Sequence, residues 1–386
     1  MSISISRINQ YIFTKHNIIP GTQIKEIDEI SRNHLGLHSA RILTPYTTLC
    51  SRILEYNPQM LMEELYVKKN LIKIRCMRTT LHIVPFDIAP IVHMATLDMR
   101  MAECKLFFNR NNISLLEVEE LEEQLLSFIS GPMTSSEIEN RIQTFLKISD
   151  DKFKKVCAKM VLKYFWEKGV LCYINSTDNW EKESRKYAVT NKFYRGIDLN
   201  LYEVYEAQEL LILQYISKFG PVTIKDISWW SGLSLRIVKS VVDNNNIAIQ
   251  KIMFKDCQKE YYITKDNCEQ LYEFKDIDFE WISLLAYEDP SLKGYYESRF
   301  RYVDDNHYNL IFNQIGEVRA SVILNGKVVG AWTWDKKRKK INIELFNILR
   351  PDIIKKINRL KEEYESILYP SQQMTFLEER YRGGYE

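Results

Sequence analysis

The spacing of hydrophobic positions predicts a mainly helical chain in which short strands follow groups of helices. Near the N-terminus, apolar residues recur every three or four positions and predict helices over 5–15, 24–35 and 47–54. A continuous apolar stretch over 71–76 predicts a strand. The first region therefore has the order helix, helix, helix, strand.

A short motif occurs twice in the middle of the chain. Residues 131–138 read GPMTSSEI and residues 220–227 read GPVTIKDI, which gives the shared pattern G-P-x-T-x-x-[DE]-I. Gly-Pro ends one helix, Thr caps the next helix, and the acidic residue three positions later completes a capping box. Each copy therefore predicts two helices that meet at a tight turn.

The surroundings of the second copy predict three helices and a hairpin. Apolar positions over 207–219 form one face of a first helix. Gly232 ends a short second helix, and Ser234 caps a third helix that has an apolar face. Two apolar strands over 247–254 and 261–264 follow around a polar turn. This order is typical of a winged helix, which is a helix-turn-helix with a β wing.

The first copy has the same plan. Helices are predicted over 115–129 and 152–168, on either side of the helix that Thr134 caps. Strands over 170–174 and 186–190 then enclose a polar loop. We interpret the N-terminal region, with its three helices and a strand, as a third and diverged unit of this kind.

The last hundred residues follow a different pattern. Strands are predicted over 321–329 and 341–346, and Asn325-Gly326 marks a type I′ hairpin turn. A second turn over 335–340 carries five consecutive cations, and a helix over 351–369 follows it. A small β-rich domain with a terminal helix therefore ends the chain.

Length and composition fit several folded domains. A chain of 386 residues exceeds one typical domain, and 45% hydrophobic residues exclude a disordered chain. We therefore predict a mainly α fold with small β elements (α+β), in which tandem winged-helix domains precede a C-terminal β-rich domain. The predicted domains are a diverged winged helix over 1–110, a second winged helix over 111–200, a third over 201–275 and a β-rich domain over 276–386.

Charge and reactive residues exclude several classes of protein. Because 53 Lys and Arg residues oppose 51 Asp and Glu residues, affinity for nucleic acid must come from local patches. Seven cysteines without C-x-x-C, six histidines without H-E-x-x-H, and the lack of a G-x-G-x-x-G or P-loop sequence predict neither a metal nor a nucleotide cofactor. With no N-terminal signal sequence and no apolar run of about 18 residues, a cytoplasmic protein that does not span a membrane is expected.

Cations at several places are candidate contacts to nucleic acid, because winged helices commonly place their third helix in the major groove. The candidates are Arg236 and Lys239, then Lys154, Lys155 and Lys159, then Lys336, Lys337, Arg338, Lys339 and Lys340, and finally Arg41 and Arg78. Exposed cations on helices are usually only solvated, and many winged helices bind proteins instead. The 335–340 turn is the stronger candidate, because adjacent like charges repel one another unless an anion compensates them.

Two histidines are candidate catalytic groups, His38 in the sequence GLHSA and His82 in the sequence RTTLH. The stretch over 78–82 follows a strand and is β-prone, so its side chains are expected to alternate between two faces. A histidine that is hydrogen-bonded inside the fold is the more common explanation for either position, ahead of catalysis. Composition alone leaves both alternatives open.

Four short motifs occur in a fixed order along the chain. They are Gly36-Leu37-His38-Ser39-Ala40 with Pro45-Tyr46 and Leu49-x-Ser51-Arg52, Arg78-Thr79-Thr80-Leu81-His82-Ile83-Val84, Leu284-Leu285 with Asp289-Pro290 and Gly294-Tyr295, and Leu324-Asn325-Gly326-Lys327-Val328-Val329-Gly330-Ala331-Trp332. In this order they resemble the AlkZ-type family of bacterial DNA glycosylases, over about residues 5–350. The resemblance implies an array of three winged helices and a β domain around a channel for duplex DNA.

The resemblance also implies an activity and a site. Members of the family hydrolyse the N-glycosidic bond of alkylated purines, and some release bulky or crosslinked adducts. An N7-alkylated purine is a cationic leaving group, so the enzyme has mainly to position a water and to stabilise a cationic sugar. The family carries Gln-x-Gln or Gln-x-Asp where this chain has His38-x-Ala40. His38 is able to hydrogen-bond to water or to accept its proton, whereas Ala40 has no polar group.

Three interpretations of this departure are open. Either His38 carries the hydrolysis alone, or a neighbour supplies the missing group, or the protein binds DNA without cleaving the bond. The supporting candidates are Thr44, Asp289 and His82. The leading prediction is a DNA glycosylase of base excision repair, a hydrolase that acts as a monomer on damaged double-stranded DNA without a cofactor. The alternatives are a non-catalytic winged-helix regulator or damage-recognition protein, and an array that binds only proteins.

Overall fold

The computed structural model describes residues 3–177, 179–254 and 257–369, and helices dominate it. The helices are α1 (Ile5–Lys15), α2 (Ile27–Asn33), α3 (Leu43–Cys50), α4 (Pro58–Tyr66), α5 (Ala89–Arg110), α6 (Leu115–Phe128), α7 (Ser135–Phe145), α8 (Asp151–Glu167), α9 (Thr190–Phe193), α10 (Val204–Phe219), α11 (Ile224–Ser231), α12 (Leu235–Asn244), α13 (Lys265–Glu273), α14 (Pro290–Lys293), α15 (Tyr308–Ile311) and α16 (Pro351–Leu368). The strands are β1 (Leu37–His38), β2 (Leu71–Arg75), β3 (Leu81–Pro85), β4 (Leu171–Asn175), β5 (Arg185–Val189), β6 (Ile249–Phe254), β7 (Cys257–Thr264), β8 (Ile282–Leu285), β9 (Ser321–Leu324), β10 (Lys327–Asp335) and β11 (Lys340–Leu345). The predicted class, mainly α with small β elements, is confirmed.

Both copies of the repeated motif begin a helix as predicted. The Thr134 hydroxyl accepts from the amide of Glu137 and the Glu137 carboxylate accepts from the amide of Thr134, which is a capping box at the start of α7. Thr223 and Asp226 form the same box at the start of α11. Each copy lies in the order helix, helix, helix, hairpin, with strand pairs β4–β5 and β6–β7. The winged-helix assignment of these units stays a prediction.

Two hydrophobic cores lie on either side of α5, a helix that the apolar pattern does not predict. One core contains buried residues from Met101 to Val189, and the larger core contains residues from both ends of the described chain. Residues of the first half of α5, such as Ile91, belong to the larger core, and residues of its second half, such as Phe108, belong to the smaller one. The helix therefore ties the cores together, while the division into four domains stays a prediction.

The third N-terminal helix begins earlier than the apolar pattern indicates. It covers Leu43–Cys50 instead of 47–54, and α4 follows it at a place where no helix is predicted. Pro45 lies in the first turn of α3, where a backbone amide has no partner within the helix in any case. A proline at this position is therefore compatible with the start of a helix, although proline within a helix usually disrupts it.

The stretch over 78–82 is only partly extended. Met77–Thr79 form a 3-10 turn, in which Arg78 and Thr79 have φ values of 52° and 56°, and β3 begins at Leu81. This turn joins β2 to β3, which pair antiparallel. The expected alternation of side chains therefore holds for His82 but not for Arg78, which projects from the turn.

A very close approach of β1 to β3 places two histidines side by side. β1 has two residues, and their Cα partners are Ile83 and His82 for Leu37 and His38, respectively. Gly36, just before β1, has a φ of +114°, and a Cβ at this position would lie 2.7 Å from Val84 Cγ1. Only glycine combines this backbone conformation with such a close neighbour.

The C-terminal sheet has the antiparallel order β11-β10-β9-β8. Asn325 and Gly326 have φ values of 48° and 86°, as the predicted type I′ turn between β9 and β10 requires. β8 is an apolar run of four residues that the sequence pattern does not distinguish from other buried segments. β8 helps to position the candidate active site, because the loop from β8 to α14 carries Glu288 and Asp289.

Within the described ranges, no helix combines the length and the apolar character that a bilayer span requires. Six cysteines in the same ranges are buried thiols without a disulfide. No group of three or more His, Cys, Asp or Glu side chains in these ranges is arranged to hold a metal ion.

Candidate active site

His38 and His82 form a buried pair of neutral imidazoles. Their ring centres are 5.4 Å apart and the rings are nearly perpendicular, at 89°. Burial lowers the pKa of His38 well below its usual value and the pKa of His82 to about 4, and the positive charges of Lys293 and Arg78 act in the same direction. Both rings are therefore uncharged at neutral pH.

The hydrogen-bond partners of each ring indicate where its proton lies. His82 Nδ1 is 3.2 Å from the carbonyl oxygen of Thr80, so this nitrogen donates. His38 Nδ1 is buried without a partner, whereas His38 Nε2 lies 3.6 Å from Oε2 of Glu288. A proton is stabilised by a nearby carboxylate and not by an apolar wall, so we place the His38 proton on Nε2.

A cavity of about 230 Å³ lies against both histidines. Its walls come from five separate parts of the chain, and they include His38 and Ala40, Arg78 and His82, and Glu288 and Lys293. Three of the site residues predicted from sequence, His38, His82 and Arg78, are thus brought together. Ala40 lines the same cavity and brings no polar side chain to it.

Glu288 is the carboxylate nearest to His38, and contacts with Val318 and Lys293 fix it in place. Oε1 accepts from the amide of Val318 at 2.6 Å, and Oε2 is paired with Nζ of Lys293 at 2.8 Å. Lys293 also donates to the carbonyl oxygen of Gly316 at 2.8 Å. Glu288 is only 3% exposed. A carboxylate this deeply buried requires such partners.

Asp289, the next residue, faces away from the cavity and holds the loop in place. Its carboxylate forms two hydrogen bonds with the guanidinium of Arg52, at 2.7 and 2.9 Å, and both side chains are fully buried. It also accepts from the amide of Ser291 and so caps α14. Asp289 therefore anchors the β8–α14 loop to the end of α3, which fixes the distance between Glu288 and His38.

Arg78 lies at the cavity wall with unused hydrogen-bonding capacity. Its guanidinium stacks on the ring of Trp229 at 3.6 Å, and the guanidinium of Arg299 lies 5.0 Å from the same ring. Arg78 Nη1 is buried and has no hydrogen-bond partner. Burial lowers the pKa of Arg78, Glu288 opposes this shift, and Arg299 adds to it. An acceptor that enters the cavity would find a donor here.

A larger cleft of about 830 Å³ adjoins the cavity, and Ala40 and Glu317 line both. The guanidinium of Arg41 lies 3.7 Å from the ring centre of Tyr287 in this cleft. Thr44 and Lys336 also line the cleft, but the buried Thr44 does not line the His38 cavity. The cleft is therefore wide and partly cationic, and it lies next to a smaller cavity.

The remaining candidate cations lie elsewhere on the surface. Arg236 and Lys239 are exposed on α12, and Lys155 and Lys159 are exposed on α8, where Lys154 is half-buried. In the 335–340 turn, Lys339 pairs with Glu181 at 2.5 Å and Lys340 pairs with Glu365 at 2.7 Å. Arg338 Nε lies 3.9 Å from the carboxylate of Asp335. Two of the five charges in this turn are thus compensated closely by carboxylates of the protein itself.

Glu288 and Lys293 are site residues that sequence reasoning misses. The available signal is the acidic pair Glu288-Asp289 in the third motif, of which only the second residue draws attention as a candidate. The two carboxylates point to opposite surroundings because Glu288 has a φ of +56°, an uncommon conformation for a residue with a side chain. The order of residues in the sequence does not reveal that these two neighbouring side chains point in opposite directions.

Comparisons with known proteins agree with this architecture. The chain aligns with Streptomyces sahachiroi DNA glycosylase AlkZ with a TM-score of 0.76 and 16% sequence identity, over 95% of this chain and 98% of that chain. A comparison with curated proteins gives no match. The family model described as DNA glycosylase AlkZ-like matches residues 33–367, which include the cavity and the cleft. The chain therefore belongs to the AlkZ-like DNA glycosylase family.

Proposed function

We propose that this protein is a DNA glycosylase that hydrolyses the N-glycosidic bond of N7-alkylated purines in duplex DNA, including bulky or crosslinked adducts. The observation that carries the proposal is the His38 cavity, which is lined by a neutral imidazole, a carboxylate, and a guanidinium whose Nη1 has no hydrogen-bond partner. The family to which the chain belongs supports the reaction class. In the proposed setting the protein acts as a monomer in the cytoplasm, with its winged-helix units around the duplex.

The substrate itself lowers the demands on the site. Alkylation at N7 leaves a positive charge on the purine, so the electrons of the C1′–N9 bond leave with a base that becomes neutral. A water then adds to C1′ of a sugar with cationic character, and one proton is lost. The protein has to orient the water and to stabilise the positive sugar, while no strong acid is required.

His38 supplies one contact to that water. Because its pKa is lowered by burial, the ring is neutral, and Nε2–H is available to donate to the oxygen of a water in the cavity. A charged imidazole here would repel the developing positive charge of the sugar. His38 is therefore proposed as a catalytic residue that orients the water.

The small cavity and the wide cleft fit two parts of a damaged duplex. A base inside a duplex is out of reach for such a site, so glycosylases extrude the nucleotide from the stack. We propose that the damaged nucleotide enters through the cleft, where Arg41 and Lys336 bind its phosphates, and then reaches Arg78 at the wall of the cavity. Lys337 and Arg338 at the rim, and Arg236 and Lys239 on α12, are proposed as further phosphate contacts.

A glycosylase assay with binding measured in parallel tests the proposal. Duplex DNA with one N7-methylguanine is expected to lose the base, and His38→Ala is expected to lower the single-turnover rate by about 100-fold, as loss of a positioned catalytic group does. His307→Gln is the matched control, because His307 is a half-buried histidine that lines neither the cavity nor the cleft. Base release that is unchanged in His38→Ala contradicts the assignment of His38.

Ala40 favours a second candidate function, a protein that binds damaged DNA without cleaving it. Its methyl group offers no hydrogen bond where the family motif has a carboxamide or a carboxylate. This candidate predicts tight binding to alkylated duplex with a steep salt dependence and no base release. The same assay decides between the two, because it reports affinity and product separately.

A further inference from the structure

The side chain that Ala40 lacks has a replacement in the cavity. Oε2 of Glu288 and Nε2 of His38 are 3.6 Å apart, so a water placed against both atoms is within hydrogen-bond reach of each. Ala40 lines the same cavity and leaves room in front of the carboxylate. The residues that meet here come from positions 38 and 288, which are far apart in the sequence.

We propose that Glu288 is the catalytic base of this enzyme and supplies the carboxylate that position 40 lacks. The inference rests on the glycosylase function proposed above. It extends that function by a residue outside the His38-x-Ala40 motif. Glu288 and His38 then act on one water from two sides, the imidazole as donor and the carboxylate as acceptor.

The two oxygens of Glu288 have different surroundings. Oε1 accepts from the amide of Val318 at 2.6 Å and from Nζ of Lys293 at 3.2 Å. Oε2 has the ammonium of Lys293 at 2.8 Å on one side and His38 on the other, and it faces the cavity. The ammonium of Lys293 compensates the carboxylate in this buried site, and a carboxylate at this position is also suited to stabilise a positively charged sugar.

The proposed step conserves atoms and charge. The C1′–N9 bond breaks, and its electron pair goes to N9 of the alkylated purine, which leaves as a neutral base. A lone pair of the water oxygen forms a bond to C1′. One proton of this water passes to Oε2 of Glu288 and from there to solvent. The products are the free base, an abasic site with a hydroxyl group at C1′, and one proton.

The experiment compares Glu288→Gln with a rescue variant and a matched control. Glu288→Gln keeps the shape of the side chain but not its basicity, and we expect the single-turnover rate to fall at least 100-fold while the Kd for alkylated duplex changes less than threefold. In the double variant Glu288→Gln with Ala40→Asp, a carboxylate returns to the cavity, and at least tenfold of the loss should be recovered. A purely structural role for Glu288 does not explain such a recovery.

Glu280→Gln is the control, because Glu280 is also a carboxylate with two cationic partners, Arg350 at 2.9 Å and Lys356 at 3.0 Å. It lines neither the cavity nor the cleft, so the rate of this variant should match wild type. Each rate is divided by the concentration of protein that binds DNA, so that unfolded protein is not mistaken for a loss of catalytic activity. If Glu288→Gln gives no protein that binds DNA, Glu288→Asp replaces it, with an expected tenfold loss of rate at unchanged affinity.

Two failures are distinguishable. If wild-type protein releases the base and Glu288→Gln, or Glu288→Asp in its place, does so at the wild-type rate, the role of Glu288 is overturned while the proposed function stands. A loss of rate that Ala40→Asp does not restore also counts against the role of Glu288 as base. If wild-type protein releases no base from any N7-alkylated duplex, the proposed function itself fails.

Discussion

Burial keeps the imidazole of His38 neutral, and this neutral ring does not both orient a water and accept its proton. A neutral imidazole whose proton is on Nε2 donates to a water but does not take a proton through the same atom. Its other nitrogen is buried without a partner. His38 therefore orients a water, and a second group has to accept the proton. Among the residues that line the cavity, Glu288 lies where it meets that requirement.

The buried ion pair between Arg52 and Asp289 gives a prediction about stability. Asp289→Asn leaves the guanidinium of Arg52 buried without its anion, and we expect the free energy of unfolding to fall by about 3–5 kcal/mol. Asp276→Asn is the control, because Asp276 faces Arg7 at 3.6 Å but is 65% exposed, and it should change stability by less than about 1 kcal/mol. Urea denaturation measures both variants. Unchanged stability with lost base release would instead give Asp289 a direct part in the reaction.

The neighbouring acids at 288 and 289 show which part of the site a sequence predicts. His38 and His82 are recognisable because each lies in a short motif, and their strands bring them together locally. Glu288 becomes significant only through contacts with His38 and Val318, and its side chain direction depends on a left-handed backbone conformation. Contacts between such distant parts of the chain and an unusual φ leave no periodic pattern in the sequence.

The two capping boxes offer a matched comparison at the level of one element. In α11, Asp226 accepts from the amides of Tyr296 and Glu297, both at 2.7 Å, in addition to its own cap, and it is fully buried. In α7, Glu137 serves only its cap and is exposed. The same motif thus starts a helix in one copy and fastens a distant segment in the other.

We therefore expect the two copies to respond differently to the same change. Asp226→Asn places a donor among several donors and should lower the free energy of unfolding by roughly 3 kcal/mol. Glu137→Gln should leave the unfolding midpoint within the error of the measurement, because water replaces its contacts. Thermal and urea unfolding compare the variants. Equal effects at both positions would mean that Asp226 acts only as a helix cap.

The 335–340 turn carries a prediction about DNA binding. Lys337 and Arg338 are exposed, whereas Lys339 and Lys340 already pair with carboxylates of the protein. If the first two bind phosphates, the double variant Lys337→Gln with Arg338→Gln should lower the slope of log K against log salt by about 0.9 for each phosphate that is no longer neutralised. The control is Lys339→Gln with Lys340→Gln, which removes the same formal charge and should change the slope less. Titrations at several salt concentrations measure both, and identical slopes for all three proteins would exclude this turn from the interface.

At the scale of the whole molecule, the sequence predicts the helices and hairpins of the two repeats better than it predicts how the two hydrophobic cores are connected. Helices and hairpins of both repeats follow from capping residues and apolar periodicity over short stretches of the chain. α5, which connects the two cores, is buried on different sides along its length and shows little one-sided apolar pattern. A helix that packs against two cores in turn does not display the single apolar face on which prediction depends.

Buried histidines make the assembled molecule sensitive to mild acid. The pKa values of His16, His34, His38, His82 and His93 all lie below the usual value, and burial is the main cause in each case. His16 also lies where parts of the fold meet, since Nδ1 is 2.9 Å from the hydroxyl of Ser291 and Nε2 is 3.3 Å from the carbonyl oxygen of Lys218. Protonation would place a charge inside these contacts.

The sign of the effect follows from proton binding. Below about pH 6.5 the unfolded chain protonates its histidines, while these five remain neutral in the folded chain until a lower pH, so the unfolded state binds more protons in between. Stability is therefore complete above about pH 6.5 and falls as the pH decreases. For His82, whose pKa is about 4 in the fold, the loss approaches roughly 3 kcal/mol across this window.

We expect the melting temperature to be nearly constant from about pH 8 to 7 and to fall steeply between about pH 6.5 and 5, a range above the ordinary titration of carboxylates. His16→Gln should flatten this fall, because glutamine does not take up a proton in the unfolded chain. His307→Gln is the control for the removal of a histidine as such. Thermal unfolding followed by circular dichroism at half-unit pH steps measures the three proteins. A wild-type profile that is flat down to about pH 5 would mean that the histidines are hydrated in solution, since burial is the main reason that they stay neutral while the unfolded chain is charged.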